Sequence, residues 1–321
     1  MAADRRFINA DCIDGARQHL ADESVDLIVT DPPYGIEGDR LHRHYNRDER
    51  FVVEGYIEVE PHEYAAFSRD WIAQAARVLR PGGQIYVVSG YTNLYDVLGA
   101  LRESGLVEIN HLIWKYNFGV YTTTKYVSSH YHILYYAKPG GKRTFNLQSR
   151  FALDEGAAEG GSANYRDRED VWILNREYKP GREKNKNELP LELLKKMIAY
   201  SSDPGDLVAD FFMGGGSTAV AALGMNRRFV GFEKSRGAFN KCVARLERVE
   251  AGSLLGEAPR EHIVANRGKS WTPSEHAQLH ERYRALRADG GSKEEAVAAL
   301  SKEFARGAWA IRKRLARRDT P

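Results

Sequence analysis

Ser24-Val25-Asp26-Leu27-Ile28-Val29-Thr30-Asp31-Pro32-Pro33-Tyr34 is the stretch on which the fold turns. Its Val25–Val29 core reads as a short buried parallel strand, because an apolar run of this length stops abruptly at a polar turn. The strand delivers an acidic residue, two prolines and an aromatic to its carboxyl end, the edge where ligands bind in open α/β sheets. Prolines fix φ and remove two N–H donors, so the neighbouring carbonyls stay available as acceptors. Asp31, a rigid carbonyl and the Tyr34 ring together suit a flat heterocycle bearing an exocyclic amino group. The plainer reading of Asp-Pro-Pro is a tight turn, and the tetrapeptide alone leaves both readings open.

A second stretch narrows the choice. Leu207-Val208-Ala209-Asp210-Phe211-Phe212-Met213-Gly214-Gly215-Gly216-Ser217-Thr218 reads as a strand, a glycine turn and a helix start. Gly214 and Gly216 let the backbone turn sharply against a ligand, and Ser217 or Thr218 is expected to cap the helix. The next strand ends at Glu233, where a carboxylate can accept from two ribose hydroxyls. The loop lacks both the dinucleotide spacing and the lysine of a phosphate-binding loop. It therefore fits a nucleoside without a pyrophosphate, and S-adenosylmethionine is such a ligand.

Strand-like runs lie at 6–10, 26–30, 84–89, 111–115, 130–137, 207–212 and 228–232. Helical patterns lie between several of them, at 64–79, 93–102, 191–201, 217–223 and 237–249. The first of these ends in the stop signal Arg80-Pro81-Gly82-Gly83. Alternation of this kind predicts an α/β fold: a mostly parallel sheet of seven strands with helices on both faces. Runs 111–115 and 130–137 are expected to form an antiparallel hairpin at one edge. Segments 35–58 and 139–188 are polar and irregular and read as substrate-facing loops.

Composition bounds the rest. An apolar fraction of 42% is ordinary for a soluble enzyme, no run approaches the ~18 apolar residues of a membrane span, and no signal peptide is visible. Cys12 and Cys242 are too few for a disulfide framework, so a cytoplasmic protein without a metal site is expected. Residues 260–321 carry 14 Lys/Arg against 8 Asp/Glu, a balance of +6, which leaves the first 259 at −3 of the chain's +3. An acidic body with a basic tail suggests an anionic polymer as partner.

The two signatures together resemble those of the β group of S-adenosylmethionine-dependent DNA amino-methyltransferases, in which the catalytic tetrapeptide precedes the cofactor loop. Here Phe211, Gly215 and Ser217 stand where the family has proline, serine and threonine. The resemblance covers roughly residues 6 to 250 and implies the Rossmann-like methyltransferase sheet with S-adenosylmethionine as cofactor. It implies Asp31, Pro32, Pro33 and Tyr34 as catalytic. It implies cofactor contacts at Asp11, Cys12, Asp31, Asn187, Pro190, Asp210, Phe212, Gly214, Gly216, Ser217, Thr218 and Glu233. Asn9-Ala10-Asp11-Cys12 stands where the family meets the cofactor's adenine, and of Asn185–Leu191 only Pro190 matches the family pattern. Lys115, Lys125 and His130 resemble the hairpin behind the flipped base, although His132 stands where a glutamate is usual.

The implied reaction is site-specific methylation of double-stranded DNA by base flipping. Asp-Pro-Pro-Tyr accompanies mostly adenine N6 in this family, with cytosine N4 the alternative. An inactive DNA-binding protein and an RNA or protein-amide methyltransferase are the more distant readings. Carbon-5 methylation needs a cysteine nucleophile, typically after proline, and Cys12 follows Asp11 while Cys242 follows Lys241. Partners implied are double-stranded DNA, a second copy of the chain and a cognate restriction endonuclease, with no membrane.

The domain boundary is expected near 259, with a separate module over 266–321. There Thr272-Pro273-Ser274-Glu275 and Ser292-Lys293-Glu294-Glu295 are capping boxes, and 306–315 reads as a third, basic helix. The set resembles a Myb-like or helix-turn-helix module, with Arg306, Arg312, Lys313 and Arg314 as expected DNA contacts. A basic bundle that docks on the body or forms a dimer contact is the alternative.

Overall fold

The computed structural model describes residues 5–33, 59–116, 123–146, 168–175, 188–255, 270–306 and 308–316. Tyr34, Asn187, loop 35–58 and most of 139–188 lie outside them. The chain divides into two compact units, 1–255 and 256–321.

In the first unit the side-chain alternation of β2 (Val25–Thr30) builds the layers. Leu27 and Val29 enter one apolar cluster and Ile28 enters the other, since successive strand residues point to opposite faces. The order along the chain is β1 (Arg5–Ile8), α1 (Cys12–His19), β2, α2 (Tyr64–Val78), β3 (Leu79–Ser89), α3 (Leu94–Glu103), β4 (Val107–Lys115), β5 (His130–Ala137), β6 (Val171–Ile173), α4 (Leu191–Ser201), β7 (Leu207–Asp210), α5 (Ser217–Gly224), β8 (Arg228–Phe232) and α6 (Arg236–Leu246). Helices α1 to α3 cover the Ile28 face, where Trp71, Ile72 and Leu101 are fully buried. Helices α4 to α6 cover the Leu27 face through Leu193, Met197, Ala222 and Leu246.

The strands form one eight-stranded sheet in the order β1-β8-β7-β2-β3-β5-β4-β6. All pairs are parallel except those of β5, which is antiparallel to both β3 and β4. All seven expected strands are present, and β6 is an eighth. It lies inside the segment read as loop, pairs with Ile113–Lys115, and buries Trp172. Three residues are too few to show alternation, so no periodic signal announced it. Because β6 pairs with β4, the β4–β5 hairpin is not at the edge of the sheet.

Arg80-Pro81-Gly82-Gly83 ends α2 as expected, but the chain runs straight on as β3. Gly82 has φ +78° and donates its N–H to the Lys138 carbonyl at 2.8 Å, while the Lys138 N–H donates to the Gly83 carbonyl at 2.9 Å. A Cβ there would overlap the Lys142 carbonyl.

The second unit holds α7 (Pro273–Ala288), α8 (Lys293–Glu303) and α9 (Ala308–Leu315). Both expected capping boxes are formed, Thr272 with Glu275 and Ser292 with Glu295. Leu279, Val297, Leu300, Phe304 and Ile311 make its core, with Trp271, Tyr283 and Leu315 packed against it. The third helix begins two residues later than expected, so Arg306 sits in the turn before it. Among the described residues no helix is long and apolar enough to cross a membrane.

Two glycines separate the conformational uses of this residue. Gly82→Ala is expected to destabilise the first unit by more than about 2 kcal/mol, through left-handed backbone and overlap. Gly99→Ala, inside α3 with nothing within 4 Å of the added methyl, should stabilise it by about 0.5–1 kcal/mol. Urea unfolding of the two variants measures both, and equal signs would overturn the assignment.

Candidate active site

The register brings four parallel strands to a common carboxyl edge: Ile8 is level with Phe232, Asp210 with Gly231, and Ile28 with Ala209. Asp11, Asp31, Gly214 and Glu233 therefore leave the sheet on the same side. Asp31 follows β2, the glycine loop follows the adjacent β7, and Glu233 follows β8.

Asp210 ties the first two together. It is buried, and its Oδ1 accepts from the Thr30 hydroxyl at 2.8 Å and from the Phe212 N–H at 3.0 Å. The Thr218 hydroxyl bonds the same carboxyl group. Burial pushes Asp210 up to about 6, and these three donors hold it from rising further. Asp210 thus shapes the loop from beneath, its carboxyl group shared among three donors of the protein. Thr218 serves the same network and does not cap α5. That position belongs to Gly216, in left-handed conformation with φ +79° and no side-chain cap, and Ser217 is already the first helical residue.

The loop itself is stitched at every step. Met213 N–H donates to the Phe232 carbonyl and Gly216 N–H to the Met213 carbonyl, both at 2.8 Å. A Cβ on Gly216 would lie 2.6 Å from Cys242 Sγ, so glycine is required by the packing of α6 beneath. Gly214 has φ +49°, and its missing Cβ would meet only the Phe212 carbonyl at 3.9 Å. The loop is therefore closed below and open in front, a cradle that a side chain would fill. Phe212 packs behind it, its ring edge-on to Trp71 at 5.4 Å.

Glu233 reaches back into this loop. Its Oε2 accepts from Gly214 N–H at 3.0 Å and its Oε1 from Ser235 N–H at 2.7 Å. Partial burial raises its pKa, and these two donors oppose the rise. Asn9 binds the backbone under it, Nδ2 to the Glu233 carbonyl at 2.7 Å. Asp11 caps α1 by accepting from Ile13 N–H at 2.9 Å, and Lys234 Nζ stands 3.5 Å from it. The Cys12 side chain is buried and its thiol pushed up by desolvation, so Cys12 can offer a ligand only its backbone. Pro190 precedes the first turn of α4, while Asn187 lies outside the described residues.

Two positioning contacts had no sequence signal. Tyr64 is buried on α2 and donates from its hydroxyl to the Pro33 carbonyl at 2.8 Å, holding the tetrapeptide's backbone. Arg245 on α6 pairs with Glu188 at 2.7 Å and donates to the Gly215 carbonyl at 2.9 Å, clamping the glycine loop. Thr30, a hydroxyl ending the apolar run Leu27–Val29, was the readable clue to the Asp210 network.

On the hairpin, Lys115 and His130 are register partners at the end joined by its connecting loop, and both are exposed, as is Lys125. His132 bonds His111 at 2.8 Å and is held down to about 4 by burial and the neighbouring imidazoles. Of the expected hairpin set, Lys115 and His130 are thus brought side by side. In the second unit Arg306 is a correction: it is 4% exposed, donating to the Ser270 carbonyl and to Glu275, and cannot also serve as a DNA contact.

A family model for DNA methylases of the N6/N4 type matches residues 25–243. The type II methyltransferase M.HpaI of Haemophilus parainfluenzae is 28% identical over 251 residues, covering 76% of this chain and 74% of the relative. Among solved structures, the complex of M1.HpyAVI with SAM superposes with a TM-score of 0.53 at 24% identity, over 75% of this chain and 98% of that one. PvuII DNA methyltransferase, described as cytosine-N4-specific, gives a TM-score of 0.58 at 15% identity, over 76% and 86%. These last two likenesses are of fold.

The Asp210 network has a pH signature. Its carboxyl keeps a proton up to about 6 when folded, against the ordinary 3.8 when unfolded. Between these values the folded state holds more protons, so this contribution to stability is full below about 4 and lost as pH rises through about 6. Asp210→Asn, which keeps the shape and has no proton to lose, should show a shallower fall in unfolding free energy from pH 4 to pH 7. The difference is at most ~3 kcal/mol. Parallel pH profiles for variant and wild type would rule the network out as the source.

Proposed function

The chain belongs to the N6/N4 DNA methylase family, and on that premise we propose that it methylates the N6 amino group of adenine at a specific site in double-stranded DNA. S-adenosylmethionine is the methyl donor. The observation that carries the reading is the Thr30–Asp210 bond, which joins the Asp31-Pro32-Pro33 segment to the glycine loop on the adjacent strand. Donor and acceptor of the methyl group thereby share one rigid edge.

The residues fit the cofactor. The open face of Gly214 accepts a close approach, Glu233 offers carboxylate oxygens to a ribose, and Asp11 and Cys12 at the start of α1 face the same edge with their backbone. Pro190 follows Glu188, which Arg245 ties to the glycine loop. When bound there, the cofactor supplies a methyl group on a positive sulfur, already a strong electrophile.

The protein's part is positioning and electrostatics. An exocyclic amino nitrogen is a weak nucleophile because its lone pair is delocalised into the ring. Asp31 accepts one amino hydrogen and the Pro32 carbonyl the other, which favours a pyramidal nitrogen with its lone pair free to attack. Tyr64 occupies the Pro33 carbonyl, fixing the direction of the segment. Tyr34 stacks on the base, which must leave the duplex to arrive there. Asp31 as the first residue of the tetrapeptide supports adenine. The likeness in fold to a cytosine-N4-specific enzyme keeps N4 as the second reading. Likeness to a type II methyltransferase supports a modification role beside a restriction endonuclease, in the cytoplasm.

Mass spectrometry of nucleosides from DNA treated with the protein and labelled S-adenosylmethionine tests the target, with N6-methyladenine expected and N4-methylcytosine overturning it. Asp31→Ala should lower kcat by more than ~100-fold with little change in cofactor affinity. Retention of a tenth of the rate would remove Asp31 from the mechanism. Tyr64→Phe should cost kcat about 5- to 10-fold, the worth of one hydrogen bond, and leave cofactor affinity unchanged. Glu233→Ala should weaken S-adenosylmethionine binding by ~1.5–3 kcal/mol in calorimetry, and an unchanged affinity would mean that the ribose lies elsewhere.

A further inference from the structure

The basic charge of the second unit is confined to one end. Residues 256–303 carry 8 Lys/Arg and 8 Asp/Glu, whereas 304–318 carry 6 Lys/Arg and no acid. The structure divides four of these six cations into two kinds.

Arg306 and Arg314 are turned inward. The Arg306 guanidinium lies 4.2 Å over the Trp271 ring and donates to the Ser270 carbonyl at 3.0 Å and to Glu275 at 3.2 Å. Ser301 Oγ donates to the Arg306 carbonyl at 2.6 Å, just beyond Ala305, whose φ of +48° turns the chain between α8 and α9. Arg314 Nε donates to His276 Nδ1 at 2.9 Å, and its guanidinium is 5.9 Å from the same Trp271 ring. Both arginines therefore fasten the turn and α9 to the start of α7.

Arg312 and Lys313 are turned outward. Ile311 is fully buried and Leu315 packs against the same core. At 100° per residue, position 313 falls opposite the buried side and position 312 on its flank, and both are exposed. A short helix with an apolar side locked to a bundle and adjacent cations on the outer side matches a duplex groove, about 12 Å wide and lined by phosphates.

We infer that the outer face of α9, through Arg312 and Lys313, is a second duplex-DNA contact carried outside the catalytic unit, with Arg306 and Arg314 as its internal supports. The inference rests on the DNA-methylating reading for the identity of the polyanion. Its contribution is affinity and residence on DNA, because a second tethered contact raises the effective concentration of the duplex at the catalytic unit. Phosphate contacts of this kind carry no sequence information themselves.

The test uses the full chain as wild type, Arg312→Gln/Lys313→Gln and Arg306→Met. Duplex-DNA affinity is measured by anisotropy across a salt series, alongside thermal unfolding, S-adenosylmethionine calorimetry and sedimentation. The double variant is expected to unfold and bind cofactor as wild type does, while its slope of log K against log salt falls by about 2, roughly 0.9 per lost phosphate contact. Arg306→Met is expected to lower the unfolding temperature of the second unit. An unchanged slope in the double variant overturns the inference. A change in sedimentation with an unchanged slope overturns it in favour of a protein contact, and tighter wild-type binding to duplex RNA overturns the choice of DNA. If instead the slope falls but wild type methylates no DNA, the contact stands and the catalytic reading fails.

Discussion

A carboxyl group buried between two strand tips is the constraint on which the catalytic edge depends. Asp210 accepts from Thr30 on β2, from Phe212 in the turn that follows β7, and from Thr218 on α5. Burying a carboxyl group away from water is unfavourable unless its oxygens are satisfied, so the network holds only when all three donors are in place. Each donor belongs to a different part of the machinery: the catalytic strand, the glycine turn and the helix that follows. Satisfying one buried acid therefore fixes the spacing between the segment that holds the base and the loop that holds the cofactor. Catalysis by positioning depends on that spacing, since small misplacements of reacting groups cost large factors in rate.

A second layer of contacts works in the same direction. Glu233 draws the β8 tip onto Gly214, Arg245 pins Gly215 from α6, and Tyr64 holds Pro33 from α2. Each of the three contacts spans a long stretch of chain: 19 residues for Glu233, 30 for Arg245 and 31 for Tyr64. The order of the sheet makes this economical: β7 lies between β2 and β8, so one loop receives support from both sides.

Much of the catalytic unit was legible because its signals are local. A strand shows as a run of apolar residues, a ligand loop as glycines after it, and a helix start as a capping box. Asp31 and the Gly214–Gly216 turn are of this kind, as is Thr272–Glu275 in the second unit. Other features depend on contacts made across the fold. Tyr64 reads only as an apolar helix position until the packing of α2 aims its hydroxyl at Pro33. β6 is three residues long and exists because β4 offers an open edge and Trp172 a burial site. The assignment of Thr218 as a cap was local reasoning too, and failed because the buried Asp210 made the stronger claim on its hydroxyl.

Arginine carries the same lesson into the second unit. By composition Arg306, Arg312, Lys313 and Arg314 form one basic cluster, and nothing in the residue types distinguishes them. Their roles diverge through which flank of the helix meets Trp271 and His276. Arg306 precedes the helix and falls where Trp271 and Glu275 meet, so its charge is compensated internally and its planar group stacks. Lys313 lies opposite the buried Ile311 side, and Arg312 lies on the flank away from Arg314. A run of like charges is then no single surface: half of it builds the bundle, and the other half is held out at a fixed angle by that construction.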